Sequence, residues 1–417
     1  LLEELATIRT PGNAMFRARD CSPQYGKEFL TQADIFAAET NGRIIQADLV
    51  PDVESRQAKS GQILLAGVGT LGETEVYGRA IIADKRLEGK LLSSDVLILE
   101  PNLDEDTHAY LYAFLCSRVG VRMVRSTSAG TKLLRPRRDL LRKLPIPVPD
   151  DKTLKQVADL IRSTIANREQ YLSEVQAARA CLEALPEMQE AIRMCQERKA
   201  RCTVWDGNLP TVTAWTYASA GQALKMLLKK WKLRVGDFVP PSKIFNGPRF
   251  ARTACVPPHG IDFMSQRDVF MIRSVPRRIA LPNLPRNELF VPEGTLLVGS
   301  NGQLSEGSLF GQVAWCDSEM ANAAFTQHIL RVGIDPEYAP IAFAFLSSIV
   351  GKRLMNSTAV GTSIPMMRAD LVRALPFPEI DTSLHSLVAK HVKTGVAARV
   401  TATNAEKEAI RIIEEEV

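Results

Sequence analysis

Apolar positions along the chain form short continuous runs that occur in two matching sets. The runs at 61–70 and 294–303 are rich in leucine and valine and end in glycine turns, a pattern typical of buried strands. The segments 91–100 and 325–334 predict one further strand in each set. The chain is therefore expected to contain two groups of buried strands.

A short helix is predicted after each group of strands, over roughly 108–120 and 338–351. Both helices lead to a proline-rich exit, at 144–149 in the first set and 375–378 in the second. Because the residue before a proline is kept out of the helical conformation, each exit predicts an extended connector.

A long amphipathic helix is predicted beyond each exit. Segment 153–185 contains neither proline nor glycine, and its apolar residues recur at spacings of three and four, with Asp150 or Asp151 available as N-cap. Segment 383–417 repeats the pattern, although Gly395 weakens it. An antiparallel coiled coil of the two is the simplest arrangement. The alternative is two separate helices, each lying on its own domain.

The two halves are also similar residue by residue. Residues 25–36 return as 259–270, and residues 114–131 return as 345–362, so the offset between matched positions changes only from 234 to 231. A solenoid would have a period several times shorter. We therefore predict an α+β fold, in which two pseudo-symmetric mixed α/β domains are separated by long helices that form an antiparallel coiled coil.

Five parts make up the predicted organisation. They are a first domain at 1–150, a central spacer helix at 151–185, a linker or insertion with helices at 186–233, a second domain at 234–380 and a C-terminal spacer helix at 381–417. The part at 186–233 has no counterpart in the first copy. Within it we expect a basic helical piece, a polar turn around Asp206 to Asn208 and an amphipathic helix near 216–232.

The composition favours an ordinary globular protein. The chain has 417 residues, of which 45% are hydrophobic and 24% are charged. No apolar stretch approaches the roughly 18 residues of a membrane span, and the first residues lack a signal-peptide pattern. Seven scattered cysteines without a C-x-x-C pair indicate neither a disulfide framework nor a zinc ribbon. We expect a cytoplasmic protein without a membrane partner.

Motifs of enzymes are missing. The segment nearest to a phosphate-binding loop, 67–74, has Glu73 where a lysine is required. A nuclease-like pairing of Asp52 with Glu88 and Lys90 has a long spacing and no equivalent in the second copy. The five histidines form no metal-ligand spacing. The chain is therefore predicted to be non-catalytic, with no metal or cofactor of its own.

Positive charge is modest overall, at a formal +5, but it is concentrated. One run lies at the end of the first domain and consists of Arg135, Arg137, Arg138, Arg142 and Lys143. The other lies just before the second domain and consists of Lys225, Lys229, Lys230, Lys232 and Arg234. Such runs are commonly solvated faces, yet in a paired-domain protein they are also where phosphates are held.

Small polar residues at matched loops add a second feature. Gly130-Thr131 and Gly361-Thr362 are either simple turns or sites where backbone amides and hydroxyls approach phosphates. Asparagine and glutamine pair with adenine and arginine pairs with guanine, which favours duplex DNA as the ligand. The candidate DNA-contacting residues are Arg17, Arg19, Thr70, Ser128, Thr131, Lys132, Arg135, Arg137, Arg138, Arg249, Arg252, Ser300, Asn301, Gln303, Thr362 and Arg368.

The doubled order of these motifs resembles the specificity subunit of type I restriction-modification systems. The order is an apolar strand, a helix, a glycine turn, a proline exit and a long helix. The residues that carry it are Gly61 to Leu65, Tyr110 to Ser117, Gly130-Thr131, Leu140 and Leu144 to Pro147, with second copies at Gly294 to Val298, Ile341 to Ser348, Gly361-Thr362, Leu371 and Leu375 to Pro378.

The resemblance implies two target-recognition domains that each read one half of a split double-stranded DNA target. It also implies that the helices dock two methyltransferase subunits, which bind S-adenosylmethionine, and that a separate restriction or motor subunit cleaves DNA. Gln156 follows the first proline exit, whereas the second copy has Leu384-His385-Ser386, and segment 186–233 is longer than a simple linker. These departures leave the identity of the partner open.

The helix length implies a spacing between half-sites. About thirty helical residues rise roughly 45 Å, which corresponds to about thirteen base pairs at about 3.4 Å each. Since the two copies differ at most surface positions, an asymmetric target is expected. The alternative class of function is a protein–protein scaffold that binds two copies of a partner without DNA.

Overall fold

The computed structural model describes residues 1–12, 18–196, 211, 213–217, 219–305 and 307–416. The chain divides into two compact units. The first unit comprises Leu1–Gln170, Met271–Arg273 and Ala398–Val417, and the second comprises Tyr171–Phe270 and Ser274–Ala397. Each of the two long helices is thus divided between the units.

Three sheets form the first unit. Its strands are β1 (Ala6–Arg9), β2 (Gly26–Leu30), β3 (Arg43–Gln46), β4 (Ile63–Ala66), β5 (Ala80–Ile82), β6 (Leu91–Leu92), β7 (Val96–Pro101), β8 (Ser128–Ala129) and β9 (Arg135–Pro136). The main sheet is antiparallel, in the order β1-β7-β4-β5. A second sheet has the order β3-β2-β6, in which β2 and β6 are parallel. Strands β8 and β9 form a short hairpin.

The helices of the first unit follow the expected local signals, with one correction. They are α1 (Leu2–Leu5), α2 (Val53–Arg56), α3 (Glu105–Cys116), α4 (Arg118–Ser126), α5 (Arg138–Arg142) and α6 (Asp151–Glu183). The single helix predicted over 108–120 is wrong, because it breaks at Ser117. The Ser117 hydroxyl accepts the Gly120 N–H at 3.0 Å and so caps a new helix.

Both faces of the main sheet of the first unit are covered. All four residues of β4 are buried. Ile63 and Leu65 belong to a core with the aromatic and aliphatic residues of α3, and Leu64 belongs to a second core with Phe36. Because neighbouring side chains of a strand point to opposite faces, a fully buried strand needs both cores.

The second unit has the same order of strands. They are β10 (Ile244–Asn246), β11 (Ile261–Met264), β12 (Arg277–Ile279), β13 (Leu296–Gly299), β14 (Val313–Trp315), β15 (Ala323–Phe325), β16 (Ile329–Val332), β17 (Ala359–Val360) and β18 (Met366–Met367). The main sheet has the order β10-β16-β13-β14, the second has β12-β11-β15 with β11 and β15 parallel, and β17 pairs with β18.

Helices of the second unit include the segment that has no counterpart in the first copy. They are α7 (Pro186–Gln196), α8 (Ser219–Leu227), α9 (Gln266–Val269), α10 (Arg286–Leu289), α11 (Ala339–Leu346), α12 (Ile349–Asn356), α13 (Ala369–Arg373) and α14 (Thr382–Glu416). Helices α7 and α8 pack on α12, and Trp231 packs edge-on against Phe345. The segment is therefore part of the second unit's core. The polar turn expected at Asp206 to Asn208 lies outside the described residues.

The strand predicted over 91–100 is also corrected. It consists of two strands, β6 and β7, which belong to different sheets. The second copy has the same break, between β15 and β16. Apolar residues on both sides of the break produce one continuous run in the sequence, although the chain changes sheet within it.

Both long helices begin where the sequence indicates. Asp150 Oδ1 accepts the Thr153 N–H at 2.7 Å, and Asp381 Oδ1 accepts the Leu384 N–H at 2.8 Å. Helix α14 continues through Gly395. A Cβ at this position would lie 3.1 Å from the Glu174 Cβ, so glycine allows close approach to α6 here. Gly395 is therefore a packing residue rather than a break.

The two long helices meet through different chemistry in the two units. In the second unit, His391 Nδ1 lies 2.6 Å from Glu174 Oε2, and both side chains are about one quarter exposed. In the first unit, Arg168 Nη2 donates to Glu406 Oε2 at 2.6 Å, and both side chains are buried. The contact between the long helices is therefore a desolvated ion pair in the first unit and a partly solvated pair in the second unit.

Glu406 is the centre of a larger buried network. The Tyr112 hydroxyl donates to Glu406, and Arg273 Nη1 lies 3.7 Å from it. Arg273 also donates to the Ala80 carbonyl at 3.1 Å. Burial opposes ionisation of Glu406, but Arg168, Arg273 and Tyr112 outweigh it and hold the pKa of the carboxyl below its ordinary value.

Candidate nucleic-acid interface

A loop follows the central strand of the main sheet in each unit, and a glutamine braces it in both. The side-chain amide of Gln32 donates to the Val68 carbonyl at 2.5 Å and accepts the Val68 N–H at 3.0 Å. Gln266 makes the same two bonds to Asn301, at 2.9 and 3.3 Å. Each loop is thus held in place by a side chain from a separate element.

The two hairpins are joined to these same loops. In the first unit, the Gly69 N–H donates to the Leu134 carbonyl at 3.1 Å, and the Leu134 N–H donates back at 2.9 Å. In the second, the Gly302 N–H donates to the Pro365 carbonyl at 3.3 Å, and the Met367 N–H donates to the Ser300 carbonyl at 3.0 Å. Loop and hairpin therefore form one surface in each unit.

Both hairpin turns require glycine. Gly130 has φ of 118° and Gly361 has φ of 98°, a region that residues with a Cβ rarely adopt. The two glycines are thus turn residues, and the residues after them, Thr131 and Thr362, are exposed.

Polar side chains are concentrated at this edge of the second unit. Asn246 Nδ2 donates to Ser300 Oγ at 2.8 Å and to the Gln327 carbonyl at 3.0 Å. Ser300 Oγ donates to the His328 carbonyl at 2.9 Å. Arg252 Nη2 donates to Gln327 Oε1 at 3.1 Å, with its guanidinium 4.6 Å from the Phe263 ring centroid. These bonds hold asparagine, glutamine and arginine side chains together.

The cluster is electropositive. Partial burial, Arg252 and Arg249 together lower the pKa of His328, so this imidazole is neutral at pH 7. Beneath the cluster lies Arg331, which is fully buried between the rings of Phe245 and Phe325. Burial lowers the pKa of Arg331 to about 10, so it remains charged at pH 7.

The matching edge of the first unit has other residues on the same backbone. The Gly67 N–H donates to the Asp95 carbonyl at 2.8 Å, as the Ser300 N–H does to His328 at 3.0 Å. Asp95 therefore occupies the place of His328, and its carboxylate lies 3.6 Å from Arg135 of the hairpin. Ile98 takes the place of Arg331, since Ile98 pairs with Leu64 as Arg331 pairs with Leu297.

A second set of contacts braces the first unit's hairpin. The Tyr77 hydroxyl and Ser128 Oγ are 2.6 Å apart, and Arg125 Nε donates to the Tyr77 carbonyl at 2.9 Å. Burial raises the pKa of Tyr77. Ser128 thus has a structural partner within the protein.

Most of the sixteen sequence-predicted residues lie at the surface. The exposed ones are Arg19, Thr70, Thr131, Lys132, Arg135, Arg137, Arg138, Arg249, Arg252, Gln303 and Thr362. Ser128, Asn301 and Arg368 are partly buried, and Ser300 is only 1% exposed. Ser300 is therefore a buried hydrogen-bond partner of Asn246 and does not itself lie at the surface. Arg17 lies outside the described residues.

Loop and hairpin bring together several of these residues in each unit. They are Thr70, Ser128, Thr131, Lys132 and Arg135 in the first unit, and Arg252, Ser300, Asn301, Gln303 and Thr362 in the second. Arg19 lies elsewhere, beside β3, where its carbonyl accepts the Gln46 N–H at 2.9 Å.

Two candidate arginines share a local role. Arg137 lies 2.5 Å from the carboxylate of Asp139, and Arg368 pairs in the same way with Asp370 at the matched position. The pKa of Asp139 and that of Asp370 are both lowered by hydrogen bonds from these arginines. Within the described part of the chain, Lys132 and Arg249 have no ion-pair partner, so their charges are available to a ligand.

The basic run at 225–234 lies within the second unit, and two of its cations have partners inside the protein. Lys230 lies 2.7 Å from Glu187, and Arg234 donates to the Trp231 carbonyl at 2.5 Å. Burial lowers the pKa of Lys225 to about 8. Lys230 and Arg234 therefore have partners within the same stretch of the chain.

Sequence reasoning missed residues that the structure places at this surface. They are Gln32, Asn246, Gln266, Gln327 and His328. The two braces could have been found, because Gln32 and Gln266 are identical residues at matched positions of the repeat. The other three have no sequence signal, since strand pairing and loop closure bring them together.

Other kinds of site receive no support from the described residues. Among residues 1–12, 18–196, 211, 213–217, 219–305 and 307–416, no three His, Cys, Asp or Glu side chains are grouped to hold a metal ion. No described helix is sufficiently long and apolar to span a bilayer. The cysteines in the described part are free thiols.

No protein-family model matches the chain, and no curated protein matches it. Solved structures similar to it over nearly its whole length include the following three. One is the specificity subunit of a type I restriction-modification system from M. genitalium, with 12% identity, a TM-score of 0.29, and coverage of 99% of this chain and 91% of that one. Another is the HsdS subunit from Thermoanaerobacter tengcongensis, with 13% identity, a TM-score of 0.27 and coverage of 98% and 96%. The third is a chain from a structure that addresses complex assembly and conformational transition of the type I restriction-modification system, with 13% identity, a TM-score of 0.30 and coverage of 99% and 97%. Scores of this size leave the function to be inferred from the residues of this chain.

Proposed function

We propose that this protein is the DNA sequence-specificity subunit of a modification or restriction assembly. The observation that carries the proposal is that the two units have the same loop-and-hairpin backbone arrangement but different side chains at its surface. Gln32 and Gln266 brace equivalent loops, yet Asp95 and Arg135 accompany one loop while Asn246 and Arg252 accompany the other. Two readers of different half-sites require this combination.

The groups present suit duplex DNA. Cations such as Lys132 and Arg249, which have no ion-pair partner among the residues that the structure describes, attract phosphates. The side-chain amides of Asn301 and Gln303 have a donor and an acceptor that complement those of adenine in the major groove, and arginine suits guanine. The proposed target is bipartite and asymmetric, with one half-site for each unit.

The long helices are proposed to set the distance between half-sites and to dock two methyltransferase subunits. Antiparallel contacts in the second unit, where Glu174 meets His391 and Tyr171 lies beside Gly395, support a coiled-coil arrangement. S-adenosylmethionine belongs to the methyltransferase partner, and cleavage belongs to a restriction or motor subunit. The chain itself is proposed to be non-catalytic.

Selection from a pool of randomised DNA duplexes tests the function. The chain is purified alone and together with its proposed methyltransferase partner, and bound duplexes are sequenced. We expect two short determined blocks at constant separation, with affinity that falls steeply with added salt. If the chain instead binds its protein partner without DNA, and added salt does not weaken that complex, the result would support a protein–protein scaffold.

Deleting one heptad from each long helix tests the role of the helices. Removing 171–177 together with 389–395 shortens the pair by about 10 Å, which is about three base pairs. The unread spacer should shorten by that amount while both determined blocks stay the same. Altered blocks at a constant spacing would contradict the proposal.

A further inference from the structure

An aliphatic side chain is exposed at the tip of each hairpin. Leu133 is 58% exposed and Ile364 is 67% exposed, and the two occupy matched positions after the glycine turns. Single exposed aliphatic residues are common on protein surfaces and require no explanation. Here, however, two exposed aliphatic residues lie at equivalent hairpin tips. Each follows a glycine with positive φ by three residues, so the exposed tip is a repeated feature of the fold.

The tips are fixed beside the polar residues described above. Leu134, next to Leu133, is bonded to Gly69 in both directions. Pro365, next to Ile364, accepts the Gly302 N–H, and Met366 is the bridge partner of Asn301. A ligand that contacts the loop therefore also meets the aliphatic tip.

Surrounding charge indicates which ligand meets the tip. Lys132 precedes Leu133, and Arg135 begins strand β9 two residues later. In the second unit, Met366 takes the position two residues after Ile364 and is 51% exposed. Positive charge in this unit comes from Arg249 and Arg252, which act on His328. An apolar point in a basic surface is complementary to a nucleic-acid groove.

We propose, on the basis of the function proposed above, that each hairpin enters the major groove and that Leu133 and Ile364 contact the 5-methyl group of a thymine. A two-stranded β-ribbon fits the major groove, and the thymine methyl is the apolar group that this groove displays. Each half-site then contains at least one A·T pair that is recognised through its methyl group.

Replacement of thymine by uracil tests this contact, because uracil lacks only the methyl group. The probe is the duplex recovered from the randomised pool, with each thymine replaced in turn. For the wild-type protein, one replacement in each block should weaken binding about four-fold, which corresponds to roughly one buried methyl group. A block without an A·T pair, or affinity unchanged by every replacement, would overturn the proposal.

Two variants assign each contact to its unit. Leu133→Ala should lose the thymine preference in one block and Ile364→Ala in the other. Val148→Ala is the matched control, because Val148 is 94% exposed in the connector, and it should retain both preferences. Both tip variants should bind with the wild-type salt dependence, whereas Lys132→Gln should reduce the salt slope by about one.

Failure of this inference differs from failure of the proposed function. If no duplex is enriched, the proposed function fails. If duplexes are enriched but both tip variants keep the wild-type response to uracil, only the thymine contact is refuted. Loss of methyltransferase binding by Leu133→Ala at an unchanged response to uracil would assign the tip to a protein interface instead.

Discussion

The two units place different side chains on one backbone frame. In both, a glutamine braces the loop after the central strand and a hairpin is bonded to that loop. The first unit has Asp95 and Ile98 where the second has His328 and Arg331. The comparison indicates that the hydrogen bonds that position the loop are the same in both units, whereas the side chains at the surface beside it differ.

The long helices show the same division of roles. Glu406 of the first unit is buried among Arg168, Arg273 and Tyr112, whereas Glu174 of the second meets His391 within reach of solvent. A desolvated ion pair is intolerant of losing one partner, while a solvated pair contributes little. The two ends of the helix pair should therefore differ in their sensitivity to mutation.

The largest effect is expected from Glu406→Ala. The variant removes the carboxylate that pairs with Arg168 and Arg273 in a dry site, which costs roughly 3–5 kcal/mol of the free energy of unfolding. Urea denaturation followed by circular dichroism measures it. Glu174→Ala is the matched control, and it should cost less than about 1 kcal/mol. Equal losses would remove the contrast between the two ends.

Acid should reduce the difference between wild type and Glu406→Ala. Since the folded-state pKa of Glu406 lies below its ordinary value of 4.5, the carboxylate stabilises the protein fully above that pH. This contribution is lost as pH falls through the lowered pKa. A difference in stability that persists unchanged under acid would refute this linkage.

A smaller effect is expected from the glutamine braces. Gln266→Met keeps the approximate size of the side chain but leaves the Asn301 N–H and carbonyl without these partners, at a cost of about 1–3 kcal/mol. Selection from the randomised pool should then yield a degraded sequence in one block only. Gln32→Met should degrade the other block. Degradation of both blocks by either variant would show that the loops do not act independently.

The smallest effect is expected from single surface cations. Arg249→Gln removes a charge that has no ion-pair partner in the described part of the chain, and should lower the salt slope of DNA binding by about one. Arg137→Gln should lower it less, because Asp139 already neutralises Arg137. Filter binding at several salt concentrations measures both slopes, and equal changes would contradict the distinction.

Local patterns predicted several elements correctly. The apolar runs at 61–70 and 294–303 contain β4 and β13. The segments whose apolar residues recur at spacings of three and four coincide with α6 and α14. The capping aspartate at 150 was also predicted, because a cap depends on residues three positions apart. The sequence analysis proposed no cap for the second long helix, where Asp381 has this role. Helix α3 was extended too far, since the hydroxyl cap at Ser117 lies inside a continuous apolar pattern.

The functional surface was only partly readable. Basic residues, the glycine turns and Asn301 stand out in the sequence, but nothing marks Asn246, Gln327 or His328 as neighbours of Ser300. Their distance in the chain is bridged by the pairing of β10 and β13 with β16. The burial of Arg331 was not predictable from the sequence either, because arginine in a strand is ordinarily exposed.

The sequence by itself determined the doubling of the chain, the class of its elements and the positions of the two glycine turns, because these depend on residues close together or on matched strings. Only the tertiary structure decided which side chains meet: the pairing of Glu406 with Arg168 and Arg273, the bracing of each loop by a distant glutamine, and the exposure of Leu133 and Ile364. Such contacts follow from strand order and helix packing, which join residues far apart in the chain and leave no local pattern.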